Sequence, residues 1–122
     1  MNETQKVRTF SDLKFNDHPN TPNGVQAKLG LGNDIDISVV SMKKRASEFG
    51  GLYGDVSAGT YEVAVFRNND MIPLSPYDDV IGWQDEGEIT ELMGHLQGDL
   101  YAQFIANLYI TRDESRAELL ED

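Results

Sequence analysis

Residues 25–42, VQAKLGLGNDIDISVVSM, decide the fold. Val25, Ala27, Leu29 and Leu31 fall on one side of an extended chain, with Gln26 and Lys28 on the other. A period of two marks a strand with one covered face. Gly32, Asn33 and Asp34 form a compact, turn-favouring link. Beyond it Ile35, Ile37 and Val39 share one face, against Asp36, Ser38 and Val40. Together the two runs predict an antiparallel hairpin.

Working outward, TYEVAVF (60–66) reads as a third strand with Tyr61, Val63 and Val65 on one side. RNND (67–70) is a turn, and MIPL (71–74) a short edge strand where Pro73 is tolerated. SPYDDVIGW (75–83) is a connector that returns Val80, Ile81 and Trp83 to the core, with Trp83 as a plug over the sheet. Upstream, the two prolines, glycine and three asparagines of NDHPNTPNG (16–24) mark a loop. TFSDLKF (9–15) offers Phe10, Leu13 and Phe15 as anchors, either as a helical turn or as a strand, and residues 1–8 read as frayed.

After Trp83 the period changes to that of a helix. Asp85 and Glu88 have the spacing of a capping box, and Ile89, Leu92, Met93 and Leu96 recur at i, i+3, i+4 and i+7. Gly98-Asp99 reads as a stop and a fresh N-cap, and Leu100, Phe104, Ile105, Leu108 and Tyr109 continue the stripe. Thr111 and Glu114 then suggest a last polar helix to about Glu121. The expected class is α+β: an antiparallel three- to four-stranded sheet followed by two or three C-terminal helices packed on one face.

At 122 residues the chain suits a single domain, 1–122. The absence of cysteine excludes disulfides, thiolate metal sites and cysteine nucleophiles. No apolar run approaches the roughly 18–20 residues of a membrane span, and MNETQKVRTF has no signal-peptide core. A soluble, cytoplasmic protein is therefore expected. The formal net charge is −11, and its distribution is uneven. Residues 1–77 carry 9 acidic and 8 basic side chains, whereas 78–122 carry 12 acidic and 2 basic. A field of this sign repels phosphates and steers the molecule toward basic surfaces, which disfavours direct nucleic-acid binding.

The acidic helical part, 85–121, is the expected partner-binding surface. Glu114, Glu118 and Glu121 fall at i, i+4 and i+7, the first two about 6 Å apart along a helix axis. Duplex DNA carries about one charge per 1.7 Å of axis, so several carboxylate rows, with Asp85, Glu86 and Glu88, could imitate part of its field. The commoner reading of such a surface is that it solubilises a small domain, but solubility alone would not demand ten of eleven net charges in one segment. Trp83, Tyr101 and Tyr109 are further anchors, and the breadth of LYAQFIANLYI (100–110) makes a homodimer an expectation.

The one cluster of positive charge, Lys43, Lys44 and Arg45, opens a long loop over 43–59 with Phe49, Tyr53 and glycines at 50, 51, 54 and 59. A loop of this length reads as mobile or functional. Its spacing matches neither phosphate-cradling glycine motif, and the cations precede the glycines. Phe49 and Tyr53 are expected to add specificity to a partner contact. The alternative is that Lys43, Lys44 and Arg45 bind an anionic ligand such as a nucleotide. The plain reading is a solvated connection balancing acidic helices of the same molecule or of a second copy.

No catalytic constellation emerges. Glu91, His95 and Asp99 at i, i+4, i+8 resemble a metal-binding row, but Gly98 interrupts it and no second histidine is near. His18 beside Pro19 suits a loop hydrogen bond. Adjacent carboxylates such as Asp78/Asp79 do not define an acid and a nucleophile across a cleft. Neither a G-x-S-x-G nor an H-E-x-x-H motif occurs. No enzyme, metal or cofactor is expected.

At LKFNDHPNTPNGVQAKL (13–29), ISVV (37–40), YEVAVF (61–66) and DDVIGWQDEGEITELM (78–93) the chain resembles a group of small, mostly uncharacterised proteins of tailed bacteriophages and prophages. The resemblance spans Leu13 to Leu96 and consists of fold signals without a catalytic motif. It implies a phage-encoded accessory protein in the host bacterial cytoplasm. Charge and resemblance together predict a non-enzymatic protein that binds and inhibits a basic host protein, such as a nucleic-acid-handling defence factor, in the manner of an anti-CRISPR. Membrane contact is not expected.

Overall fold

A computed structural model describes residues 6–43 and 51–120. A 3-10 turn, Phe10–Asp12, precedes β1 (Asn16–Asp17), β2 (Gly24–Gly32) and β3 (Ile35–Met42). A second 3-10 turn, Val56–Ala58, leads to β4 (Tyr61–Arg67), β5 (Asp70–Met71), β6 (Ile81–Gln84), α1 (Glu86–Gln97) and α2 (Tyr101–Leu120). The class is α+β, an antiparallel sheet followed by two helices. The described residues hold six strands, where three or four were expected. The strands not expected are β1, two residues inside the expected 16–24 loop and too short to show a period, and β6, in the expected 75–83 connector; β5 meets the expected 71–74 edge strand only at Met71.

The strands run in the order β1-β2-β3-β4, and the far edge of β4 is shared. β5 pairs with its end (Phe66↔Met71) and β6 with its beginning (Tyr61↔Gln84, Val63↔Ile81). Both hairpins turn on two left-handed residues, Asn33-Asp34 (φ 56° and 63°) and Asn68-Asn69 (φ 53° and 70°). Two residues with positive φ give the turn whose twist matches that of the flanking strands, and Asn and Asp tolerate that conformation best after glycine.

The alternation read from β2 and β3 sets the two faces of the sheet. Ala27, Leu31, Ile35, Ile37, Val39, Tyr61, Val63 and Val65 are buried on one side against Ile89, Met93, Leu96 and Ile105 of the helices. Burial of each large aliphatic side chain contributes roughly 1.5–3 kcal/mol. The other side carries Gln26, Lys28, Asp36, Ser38 and Glu62. Asp85 and Glu88 close the expected capping box: Glu88 N–H donates to Asp85 Oδ1 (2.8 Å), and Asp85 N–H to Glu88 Oε1 (2.9 Å). α2 runs unbroken through Thr111 for 20 residues, about 30 Å; no proline or glycine interrupts its hydrogen-bond ladder at Thr111–Glu114, so the expected third helix is its continuation.

Two expectations about loose ends need correction. Arg8, expected in a frayed terminus, is pinned: its N–H donates to Gln97 Oε1 (2.9 Å), its carbonyl accepts from Gln97 Nε2 (2.8 Å), and its guanidinium donates to the Gly30 carbonyl (2.8 Å). The loop expected to be mobile over 43–59 is a strap in its described second half. Met42 N–H donates to Gly54 O (3.4 Å), Asp55 N–H to Thr60 O (3.0 Å) and Trp83 N–H to Tyr53 O (2.8 Å). A β-carbon on Gly54 would stand 2.8 Å from Ser41 Oγ, Thr60 O and Tyr61 Cα. Only glycine permits the strap to pass so close to the sheet.

Candidate functional site

The strap meets β6 at an aromatic ledge. Opposite β4, the pairs Tyr61↔Gln84 and Val63↔Ile81 leave Gly82 and Trp83 together facing Glu62, which is a β-bulge. Trp83 takes the left-handed conformation, φ 58°. For a bulky L-residue that region costs about 1–2 kcal/mol. The extra residue shifts the side-chain parity of the strand, so Ile81 packs against the core while the indole of Trp83 is 49% exposed. The expected core plug is thus an outward-facing aromatic. An unbroken period of two would have placed Trp83 on the same side as Ile81. Gly82 was the available signal, since a lone glycine inside a strand often marks a bulge.

Tyr53 of the strap lies beside it, 50% exposed, with ring centroids 6.4 Å apart and planes at 46°. Its backbone is held from two sides. The Tyr53 carbonyl accepts the Trp83 N–H at 2.8 Å, and the Tyr53 N–H donates to Glu62 Oε1 at 2.8 Å. A carboxylate therefore sits under the ledge, and Asp85 and Glu86 follow Trp83 by two and three positions. The Glu86 charge is also felt at Tyr61, whose phenol is pushed above its ordinary value, first by burial and then by that carboxylate.

The sequence-expected partner residues distribute as follows. Asp85, Glu86 and Glu88 are exposed at the start of α1, and Glu114 and Glu118 are exposed on α2. Phe49, Lys44, Arg45 and Glu121 lie outside the described residues. The two cations of the acidic third are already engaged: Arg112 Nε pairs with Asp113 Oδ1 at 3.0 Å and covers the Tyr109 ring, and Arg116 donates to the Pro76 carbonyl at 3.0 Å. Tyr77 Oη donates to Ser115 O at 3.2 Å, so the 75–79 connector docks along α2. Among the described residues no ion pair engages Asp85, Glu86, Glu88, Glu114 or Glu118. Among the described residues no cationic side chain balances their charge, although Asp85 and Glu88 each accept a backbone N–H at the start of α1.

Lys43, expected in the alternative anion site, forms an ion pair with Asp17 at 2.7 Å. Among the described residues no group of three or more His, Asp or Glu side chains could hold a metal ion. In the Glu91–His95–Asp99 row, His95 stacks on Phe104 (centroids 4.8 Å, 10°) and stands 3.9 Å from Glu91, while Asp99 lies past the end of α1. His18 Nδ1 accepts the Asn20 N–H at 3.0 Å, a loop hydrogen bond. Among the described residues there are open cavities of about 400 Å³ over Lys28, Asp36, Ser38 and Phe66, of about 360 Å³ between Lys6, Arg8, Asp12 and Gln97, and of about 740 Å³ beside Gly94, Gly98, Leu100 and Phe104. The first is lined by Lys28 and Asp36, the second by Lys6, Arg8 and Asp12, and the third by His95 and Asp99. No helix among the described residues is long and apolar enough to cross a membrane.

Comparison of the chain with protein-family models, with curated proteins and with solved structures gives no match.

Proposed function

We propose that this is a non-catalytic binding protein that docks its acidic helical third on a basic surface of another protein. The setting implied by the sequence resemblance is a phage accessory protein acting on a nucleic-acid-handling host factor, whose DNA-binding groove the carboxylates would occupy. One observation carries the reading: Asp85, Glu86, Glu88, Glu114 and Glu118 are exposed and no ion pair among the described residues neutralises them. Exposed like charges disfavour the compact state and gain most when they meet a surface of opposite sign. A solubilising role would be met by a net charge spread over the whole surface. Here ten of the eleven net charges fall in residues 78–122.

Affinity capture from a bacterial host lysate tests it, comparing the native chain with one carrying Glu114→Gln, Glu118→Gln and Glu121→Gln. The native chain is expected to retain basic nucleic-acid-binding proteins at low salt and release them as salt shortens the reach of the charges to under about 10 Å. Retention that survives both high salt and neutralisation counts against the reading.

A further inference from the structure

Resting on that reading, we infer that the groove between α1 and α2 takes one element of the basic partner: an amphipathic helix with apolar anchors on one side and lysine or arginine along its margins. The groove is the cavity of about 740 Å³ beside Gly94, Gly98, Leu100 and Phe104. Its floor is apolar. Leu100, at the turn into α2, is 72% exposed, and His95 lies nearly flat on the Phe104 ring with centroids 4.8 Å apart. Gly94 keeps the α1 side bare. A β-carbon there would meet nothing within 4 Å, so packing within the molecule does not call for glycine, and in a helix alanine is the more favourable residue. The bare backbone leaves depth for a side chain from outside.

Charge and length select the occupant. Asp99 lines the groove and Glu91 stands beside its His95, both exposed. Among the described residues Glu91 has only that 3.9 Å approach to His95, and Asp99 has no ion pair. The sequence holds no lysine or arginine between Arg67 and Arg112, so neither helical wall of the groove carries a fixed cation. An apolar floor with acidic margins complements a basic amphipathic helix, which seats in a groove through anchors at i, i+3, i+4 and i+7. The dimension agrees: from Leu100 to Asn107 the wall rises about 10 Å, the distance between i and i+7. A nucleic acid would set its phosphates against Asp99, and a second copy would bring another net charge of −11. The exposed Leu119 and Leu120 of such a copy are flanked in sequence by Glu118, Glu121 and Asp122. The acidic helices would then supply long-range attraction and the groove the register.

The full chain is titrated by fluorescence anisotropy with three labelled peptides, each two heptads long. One is a leucine–lysine sequence with the amphipathic period of a helix, one has the same residues scrambled, and one is the amphipathic sequence with glutamate in place of lysine. Amide resonances of the isotope-labelled chain locate the contact. The amphipathic leucine–lysine peptide is expected to bind most tightly and to shift Gly94, Gly98 and Leu100. Leu100→Ser should weaken it about tenfold, the equivalent of one buried leucine side chain. Gly94→Leu, which fills the groove, should weaken it by a similar factor while raising the melting temperature of the free chain, a combination that damage to the fold does not produce. If both lysine peptides bind alike, in a salt-sensitive way, and both variants leave them unaffected, the groove assignment is overturned while the acidic-surface reading stands. If neither lysine peptide binds, both fall. If the glutamate peptide binds as tightly as its lysine counterpart, charge does not select the occupant and the inference is wrong. It is equally wrong if the native chain sediments as a dimer that Leu100→Ser dissociates.

Discussion

A β-carbon placed on Gly82 would stand 2.6 Å from the β-carbon of Tyr53 and 3.2 Å from its carbonyl oxygen. That carbonyl accepts the Trp83 N–H, so any widening of the gap breaks the bond that joins the strap to β6. Gly82→Ala is therefore expected to destabilise the fold by about 1–3 kcal/mol, the usual penalty of overpacking. Urea denaturation measures it; an unchanged midpoint would mean that strap and edge strand do not touch.

The conformation of Trp83 gives a sharper test, because glycine and alanine remove the same indole but differ in tolerance of positive φ. With φ at 58°, alanine keeps the backbone strain and glycine releases it. Trp83→Gly should be more stable than Trp83→Ala by about 1 kcal/mol, reversing the order found at ordinary strand positions. Equal stabilities, or the ordinary order, would remove the argument that the bulge holds the indole outward against a cost.

That bulge also marks where the sequence stopped being legible. The hairpin of β2 and β3 was readable because Ala27, Leu31, Ile35, Ile37 and Val39 keep strict parity and Asn33-Asp34 can both turn left-handed. The helix at Asp85 was readable from its cap, and Ile89, Met93 and Leu96 from their spacing. Trp83 was misplaced because one inserted residue inverts every orientation beyond it. The site shares this cause: Tyr53 was expected in a mobile loop, and only the close passages at Gly54 and Gly82 bring it to Trp83. Such contacts across 30 positions leave no period in the chain.

At the start of α1 cap and charge can be separated. Asp85→Ala deletes an acceptor for the Glu88 N–H and should cost about 1 kcal/mol. Asp85→Asn retains a capping oxygen and should cost a few tenths at most. Thermal unfolding of the pair checks this. Asp85→Asn is then the variant with which to measure the electrostatic share of partner binding, since its helix is intact.

The last prediction concerns alkaline pH. Tyr61 is buried against Phe10 and Phe15, at centroid distances of 5.0 and 5.5 Å. Burial first, and the Glu86 charge second, hold its phenol above the ordinary range. Below about pH 10 the phenol is protonated in both folded and unfolded chains, and its contribution to stability is fully present. As the pH rises past that value the unfolded chain releases the proton while the folded chain keeps it. The unfolded state then binds fewer protons, and stability falls until the raised folded pKa has been passed. Tyr61→Phe keeps the ring cluster and removes the titration. Its stability relative to the native chain should be flat below about pH 9.5 and rise above it, over the window set by the ordinary tyrosine pKa. Glu86→Gln, which removes the second cause, should narrow that window. Urea unfolding of all three chains across the range decides the matter: a pH-independent difference between native and Tyr61→Phe would show that the phenol is not shielded, and would also loosen the placement of Glu86 at the start of α1.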